Sequence, residues 1–574
     1  MSGLQLANRE AAVVLTKQLL KDGAIVAVKG IGGYHLVCDA RNNETVTRLR
    51  HRKRRPKRPL AVMACSLDSC EKIGILSSDE KELLTSMERP IVVVRQNADN
   101  DLASEIAPNM CTFGLMLPYT PLHHLLLEDD ELVFVVMTSA NPSGHPILYR
   151  DDEVLSSLAS VADYILTHNR EIVHPIEDSV VQWKESGLEF LRRGRGYVPD
   201  PYETLHDVDG FVALGGQQKN TVTFGRGTQL FVGPPNGDLT NLDIERHGQE
   251  EYGQFVQLSG VFPHTAAVDL HPGYTTRVLV SDPSIEFVSV QHHHAHHVSC
   301  MEDNGLTGDC YGLILDGTGY GTDGCIWGFE LLYGNAGAVE RLGHLRYTPL
   351  PGGELCVKQP WRSAVAMVLS LLPQCGEAWL RRLYPSKDHE IDLIRTMIEK
   401  QINAPLAGTC GRLFDAVSSL LGLCHVSTYD GEAAIVLSEL ASYYEGEEVA
   451  AYPYSIDKVG SLFEISCSRM LEEIIQSILG GVPVAEIAVR FHETVAAAAV
   501  NLLLHTHEEH SGNVKEVVLS GGSLHNRYLS AKLRSKLERQ GFEVYEHRRV
   551  PCSDSGISQG QIIIAAHQKH NDHN

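Results

Sequence analysis

The chain has 574 residues, too many for one compact core, and its 43% hydrophobic and 21% charged residues are those of a folded multidomain protein. A formal net charge of −23 argues against a protein that coats nucleic acid or an anionic membrane. Thirteen scattered cysteines include no C-x-x-C pair, which excludes a zinc ribbon and favours a reduced compartment over a disulfide framework. The opening MSGLQLANRE has neither an apolar signal core nor a transit pattern. No apolar run approaches the roughly 20 residues that span a bilayer, so a cytoplasmic protein is expected.

In chain order, AIVAV (24–28) reads as a buried strand, and KGIGGYHL (29–36) puts a lysine and three glycines directly after it. RLRHRKRRPKRPLAVM (48–63) is a dense block of cations running into another apolar strand. Such a block suits a solvated helix face, nucleic acid or a triphosphate; in an acidic chain, with a strand immediately following, triphosphate is favoured. IVVV (91–94) and LVFVVM (132–137) are further strands. MTSANPSG (137–144) then offers small hydroxyl and amide groups at a tight turn, either for hydrogen bonding or as an ordinary Asn-Pro turn.

GYVPDPYETLHD (196–207) has linker chemistry, and FVALGG (211–216) starts afresh as a strand entering a glycine turn. QHHHAHH (291–297) places His292 and His296 four apart, on one face of a helix, where two imidazoles can bind one divalent ion. The alternative is a surface histidine cluster. YGLIL (311–315) and VVLS (517–520) are strands predicted to end in glycine turns, LDGTGYGTDG (315–324) and LSGGSLHNR (519–527). With LGGQQKNT (214–221) these make three turns whose backbone N–H groups suit a nucleotide. A long helix is expected around 486–510, and a frayed end at HQKHNDHN. His492 reads as packed, Trp327 and Trp361 as core or interface residues, and Cys410, Cys424 and Cys552 lack a base at recognisable spacing. Asp178 could be structural, and Asp316 and Asp323 could simply cap their turn.

Taken together these motifs resemble the HypF carbamoyltransferase family of [NiFe]-hydrogenase maturation over almost the whole chain. The first half is similar to a YrdC-like domain through KGIGGYHL, the basic block, MTSANPSG, HNREI, EDSVV and LRRGRGYVP. The second resembles a threonylcarbamoyl-transferase-like domain through LGGQQKNT, DLHPGY, QHHHAHH, LDGTGYGTDGCIWGFE, KQPWRSA, GRLFDAVSSLLGL, YDGEAA, RFHETV, LSGGSLHNR and CSDSGISQGQ. The implied fold class is α/β: a mixed α+β YrdC-like domain over residues 1–200, then a two-lobed α/β domain of the actin-like ATPase superfamily over 201–574. The resemblance implies that the first domain joins carbamate to ATP, accompanied by Mg2+, giving carbamoyl-adenylate. Lys29, catalytic as well as binding, would hold the triphosphate with Arg52, Lys53, Arg55, Lys57, Arg193 and Arg195. Ser139, Asn141 and Ser143 would contact the nucleotide or the carbamoyl end. His292, His296 and Asp554 match the family's metal ligands, for Zn2+ or Fe2+, and form the transfer centre. Asp316, Gly317, Gly319, Gly321 and Asp323 would sit at the phosphate, and Gly411, Asp415, Glu432, Gly521, Gly522 and Asn526 around the nucleoside. The implied acceptor is the C-terminal cysteine of a HypE-type partner protein, with carbamoyl phosphate as the ultimate carbamoyl source.

Two departures stand out. Neither an acylphosphatase-like domain nor a zinc-finger segment, both usual in the family, precedes these motifs, and FVGPPNGDLTNL (231–242) lacks the usual Ser-Gln-His segment before GDL. Rival readings are tRNA threonylcarbamoyladenosine synthesis, a small-molecule O-carbamoyltransferase and a nucleic-acid scaffold resting on residues 48–58; membrane association is not expected. The 574-residue chain by itself is expected to ignore carbamoyl phosphate until an acylphosphatase is added. Pyrophosphate release from ATP with carbamoyl phosphate alone would contradict this.

Overall fold

The computed structural model describes residues 4–141, 145–510 and 514–572. Its strands form three sheets of ten, six and nine strands, the first built wholly from residues before 193. In that first sheet Val26–Lys29 lies between antiparallel Tyr34–Asp39 and parallel Tyr164–Leu166. Tyr34–Asp39 pairs in turn with Phe134–Ser139, His35 opposite Ser139. Val26–Lys29 and Phe134–Ser139 are almost wholly buried, which explains their near-continuous apolar sequence. Both end in polar residues, Lys29 and Ser139, at loops of the same sheet.

The expected linker does more than connect. Tyr202–Glu203 adds an antiparallel edge strand to Gln229–Gly237 of the second sheet. In that sheet Phe211–Ala213, Thr265–Asp269 and Glu286–Val290 run parallel. In the third, Cys310–Tyr320, Glu516–Ser520 and Glu543–Tyr545 are parallel, with Ile326–Gly334 antiparallel to the first of them. The helix His292–Asp303 follows directly on Glu286–Val290 and packs against the terminal helix Ile557–Asp572 and strands of the third sheet. Polar chemistry thus gathers where parallel strands end, the usual location of sites in open α/β sheets.

Three expectations change. Residues 315–324 are not a turn throughout: the strand continues to Tyr320, with an irregularity between Leu315 and Gly319, and reverses only at Gly321, whose N–H donates to Cys325 O. The interruption lifts Asp316 off the ladder. The polar tail is helical as far as Asp572, on a helix anchored by buried Ile562, Ile563, Ile564, Ala565 and Ala566, and its last two residues lie outside the described residues. The helix Val484–His510 contains an apolar window long enough to cross a bilayer, but 78% of that window is buried in the protein. It is a core helix, with Phe491 edge-on to Phe414 at 4.8 Å.

The two halves meet through polar contacts. Arg527 donates to Gln182 Oε1 and Val93 O, both at 2.7 Å, and Lys184 Nζ donates to Leu524 O at 2.6 Å. Glu439 accepts from Cys111 N at 2.6 Å and Thr112 Oγ1 at 3.0 Å.

Candidate metal and nucleotide site

Gln291 caps the helix His292–Asp303 by accepting from His294 N, and from that first turn His292 and His296 project to one side. His292 Nε2 lies 3.5 Å from Asp316 Oδ2 and 3.8 Å from Asp554 Oδ1; for His296 Nε2 both separations are 3.7 Å. Ligands bonded about 2 Å from one central ion are spaced roughly 3.3 Å apart, so this set is slightly expanded around a cation-sized centre. Both Nε2 atoms are buried without a hydrogen-bond partner, whereas both Nδ1 atoms have one. The Nε2 atoms are therefore uncommitted toward the carboxylates, and the residues fit a divalent transition metal. Two nitrogens and two oxygens suit zinc or iron.

Asp316 reaches this centre from the interrupted strand; its Oδ1 accepts from Gly522 N at 2.9 Å, leaving Oδ2 to the histidines. Gly521, at φ +103°, makes this approach possible: a Cβ there would lie 2.3 Å from Leu315 O. Asp554 comes from the one-turn helix preceding Ile557–Asp572. Burial opposes charge on His292, but Asp269, Asp316 and Asp554 outweigh it and hold its pKa well above the usual imidazole value. Burial likewise opposes charge on His296, and Asp316 and Asp554 raise it. The other histidines of the run do different work. Burial pulls His293, His294 and His297 down, and the last two bond Asn335 O and Gly334 O. His293 packs under Gly319, where a Cβ would lie 2.4 Å from its Cε1.

Beside the centre, Lys219 of LGGQQKNT pairs with Asp430 at 2.7 Å. Its side chain is 45% exposed, and Asp430, Asp554 and Asp316 raise its pKa. Around Gly317 a Cβ would meet nothing within 4 Å, and Gly411, near the start of helix Cys410–Leu420, faces it so closely that a Cβ would lie 2.8 Å from Gly317 Cα. Gly317, Gly411, Gly521 and Gly522 are therefore brought together. Other expected contacts are committed elsewhere. Asp415 pairs with Arg412 at 2.7 Å, and Asn526 caps helix Arg527–Arg539 and meets His492 Nε2 at 2.8 Å. Asp323 holds its own turn through Cys325 N and Trp327 Nε1, with Tyr347 and Arg341 beyond; below Gly321, a Cβ would meet that same Trp327.

In the first half, Lys53 donates to Ser139 O and Asn141 Oδ1, and Ser139 Oγ to Asn141 Oδ1 at 3.1 Å. Arg50, unnoticed in sequence, shapes the basic loop by donating to the carbonyls of Arg55, Pro56 and Arg58. Burial, with Arg55 and Arg58 nearby, pulls Lys53 down to about 7, and burial with Arg58, Arg50 and Arg192 pulls Arg55 down to about 9. Of this cation cluster only Lys53 is buried, Arg55 being half-buried and Arg58 exposed, and the cluster is short of negative charge. Lys29 is paired with Asp151 at 2.7 Å. Lys57 crosses to the second half and pairs with Glu432 Oε1 at 3.0 Å.

Three expected cations are engaged away from the cluster. Arg52 points from a different face of its helix to Asp163 at 2.7 Å. Arg193 donates to Val232 O, Tyr197 O and Asp200 O, and Arg195 to Asp178, Glu88 O and Arg89 O, its guanidinium 3.5 Å from the Tyr119 ring centroid. Asp178 thus has structural partners. Ser143 lies outside the described residues. Sequence reasoning missed Asp269, whose Oδ2 sits 2.7 Å from His292 Nδ1; its one signal was its place in DLHPGY.

A second group, Glu189, His525 and Cys552, also has ligand-like spacing. Glu189 Oε1 already faces Lys184 Nζ at 2.8 Å, His525 Nδ1 at 3.1 Å and Cys552 Sγ at 3.5 Å. An ammonium holds the place of a cation, and burial pushes the Cys552 thiol well above its ordinary value, so this group reads as a buried salt-bridge hub between the halves.

Residues 18–194 match the family described as telomere recombination (Sua5, YciO, YrdC), 206–303 the HypF Kae1-like domain, and 312–561 the carbamoyltransferase, Kae1-like domain, second subdomain. Fold and site together therefore define a carbamoyltransferase with a YrdC-like unit joined to a Kae1-like unit. The chain is 35% identical to carbamoyltransferase HypF2 of Cupriavidus necator, over 95% of this chain and 72% of that protein. It is 33% identical to a probable carbamoyltransferase HypF of Methanocaldococcus jannaschii, over 97% and 72%. A crystal structure of full-length HypF in the phosphate- and nucleotide-bound form superposes with TM-score 0.91 at 37% identity, over 97% of this chain and 86% of that one. The chain belongs to the HypF carbamoyltransferase family.

Because carboxylates favour protonated imidazoles in the metal-free state, ion uptake must displace protons, and affinity should rise with pH, about tenfold per unit for each proton displaced. Competitive chelation across the neutral range measures this; a flat profile would contradict the assignment. Asp316→Ala should weaken uptake as His292→Ala and Asp554→Ala do, by at least about 100-fold, if all are ligands.

Proposed function

We propose that the chain carries out ATP-dependent carbamoyl transfer in hydrogenase maturation, with residues 1–200 forming carbamoyl-adenylate and residues 201–574 passing the carbamoyl group to a HypE-type C-terminal cysteine. The observation that carries this reading is the opposite deficit of the two sites and their adjacency. Buried Lys53, half-buried Arg55 and exposed Arg58 form a cation cluster short of anions. The second centre gathers Asp316 and Asp554 around two imidazoles, and the Lys57–Glu432 pair joins the two regions.

At the first site Lys53 and Arg55 would hold the triphosphate of ATP, accompanied by Mg2+, while Lys29 exchanges Asp151 for phosphate. Ser139 and Asn141, already hydrogen-bonded together, would orient the carbamate. Its oxygen attacks the α-phosphorus, and pyrophosphate leaves carrying the displaced charge. The mixed anhydride hydrolyses readily in water, so transfer between the sites without release to solvent would protect it. At the second site Gly317, Gly411 and Gly522 would let the nucleotide approach the backbone closely, with Lys219 beside its phosphate. The acceptor sulfur attacks the carbamoyl carbon, the carbon–oxygen bond to the adenylate breaks, and AMP leaves. A zinc or iron ion held by His292, His296, Asp316 and Asp554 would supply Lewis-acid stabilisation of developing negative charge. Carbamate would derive from carbamoyl phosphate.

Two assays divide the sites. His296→Ala should retain carbamate-dependent ATP–pyrophosphate exchange but lose carbamoylation of a HypE-type acceptor followed by mass spectrometry; loss of both would contradict the division. A lysine that titrates near 7 binds anions more tightly when protonated, so ATP affinity should fall as pH rises from about 6 to 9, and Lys53→Met should flatten that dependence. An unchanged slope in the variant would remove Lys53 from the site.

A further inference from the structure

The two metal-facing histidines are held from behind in different ways. His292 Nδ1 meets a carboxylate, Asp269 Oδ2, at 2.7 Å. His296 Nδ1 meets a hydroxyl, Ser520 Oγ, at 3.2 Å. That hydroxyl has a second imidazole on its far side, His547 Nε2, at 2.8 Å. The opposite nitrogen of that ring, His547 Nδ1, faces Asp303 Oδ2 at 3.6 Å, just beyond hydrogen-bonding distance. Asp303 is fixed in turn: it accepts from Arg548 N at 2.6 Å, Arg549 N at 3.0 Å and Arg549 Nε at 2.9 Å. Ser520, His547 and Asp303 are all buried.

Hydrogen bookkeeping gives this line a direction. If His296 Nε2 presents a lone pair to the ion, its hydrogen must sit on Nδ1 and be donated to Ser520 Oγ. The Ser520 hydroxyl then donates its own hydrogen onward to His547 Nε2, leaving the His547 hydrogen on Nδ1, toward the Asp303 carboxylate. Its one competing acceptor, Cys552 O, is more distant at 3.4 Å. Reversing the His296 tautomer would turn its Nε2–H toward the metal position and leave Ser520 to donate back to Nδ1. His547 Nε2 would then lose its donor.

We propose that Ser520, His547 and Asp303 form a buried positioning relay that locks His296 in its metal-binding tautomer and orientation. The relay complements the direct carboxylate support that Asp269 gives His292. It rests on the metal-centre reading and adds three residues to it that touch neither ion nor substrate. A hydroxyl leaves His296 a weaker donor than carboxylate-backed His292, so the two nitrogens of the centre are electronically unequal. Groups behind a metal-bound histidine typically change affinity by about 10–100-fold when removed.

The test is Co2+ binding to the full chain, by competitive chelation and by the visible absorption of the bound ion. Ser520→Ala and His547→Leu should each weaken binding by about 10–100-fold and alter the visible band. His547→Gln should recover most of the loss, because its amide oxygen can still accept the Ser520 hydrogen. Asp303→Asn should fall between. Melting temperatures of the metal-free variants separate misfolding from loss of the relay; if His547→Leu does not fold, the Gln and Asn variants carry the comparison. Binding within about twofold of wild type for His547→Leu, or equal losses for its Leu and Gln variants, would overturn the relay. A wild-type chain that takes up no ion would overturn the centre as well.

Discussion

Two buried imidazoles facing buried Asp316 and partly buried Asp554, with both Nε2 atoms uncommitted, set the terms for the rest of the second half. Without an ion, such a group is stable only with protons on the histidines, and His292 and His296 are indeed held toward the charged form. With an ion, the same four side chains become a compact ligand set. The surrounding structure is arranged around that requirement. Thr265–Asp269 ends in a carboxylate behind one histidine, and Glu516–Ser520 ends in a hydroxyl behind the other. The strand carrying Asp316 breaks its ladder where that residue must turn inward.

The first half has the reverse deficit. Burying Lys53 beside Arg55 and Arg58 without enough carboxylates costs free energy that an anionic ligand would offset. The pull of Lys53 toward 7 is a direct expression of that cost. A cation-poor centre and an anion-poor centre lie in one chain, joined by Lys57–Glu432 and by the salt-bridge hub around Glu189. The hub also ties first-half residues to Leu524, His525 and Cys552, next to the loops that present Gly522 and Asp554. This coupling is consistent with transfer of a labile intermediate between sites.

Much of this was legible in the sequence where the signal is local. The four-residue spacing of His292 and His296 needs only helical periodicity, and the apolar runs at 24–28, 132–137 and 311–315 do form buried strands. Local pattern is blind to long-range pairing. Asp316 lies in a glycine-rich segment that reads as a phosphate turn, and only the strand interruption reveals it as a partner of the histidines. Ser520, His547 and Asp303 come from distant segments, so no spacing rule joins them. Neighbouring Arg52 and Lys53 look equivalent in a basic run, yet successive helical positions point about 100° apart, and one meets Asp163 while the other meets Asn141. The tail reads as frayed because its polar end is conspicuous, whereas the helix that carries it to Asp572 is anchored by Ile562–Ala566 packing beneath the histidine helix.

The central claim is that His292, His296, Asp316 and Asp554 hold one metal ion. X-ray absorption at the metal edge of the loaded protein tests it most directly. The account predicts one ion per chain in a shell of two imidazole nitrogens with oxygens and no sulfur. A sulfur neighbour, or a shell without imidazole scattering, would place the metal elsewhere and contradict it.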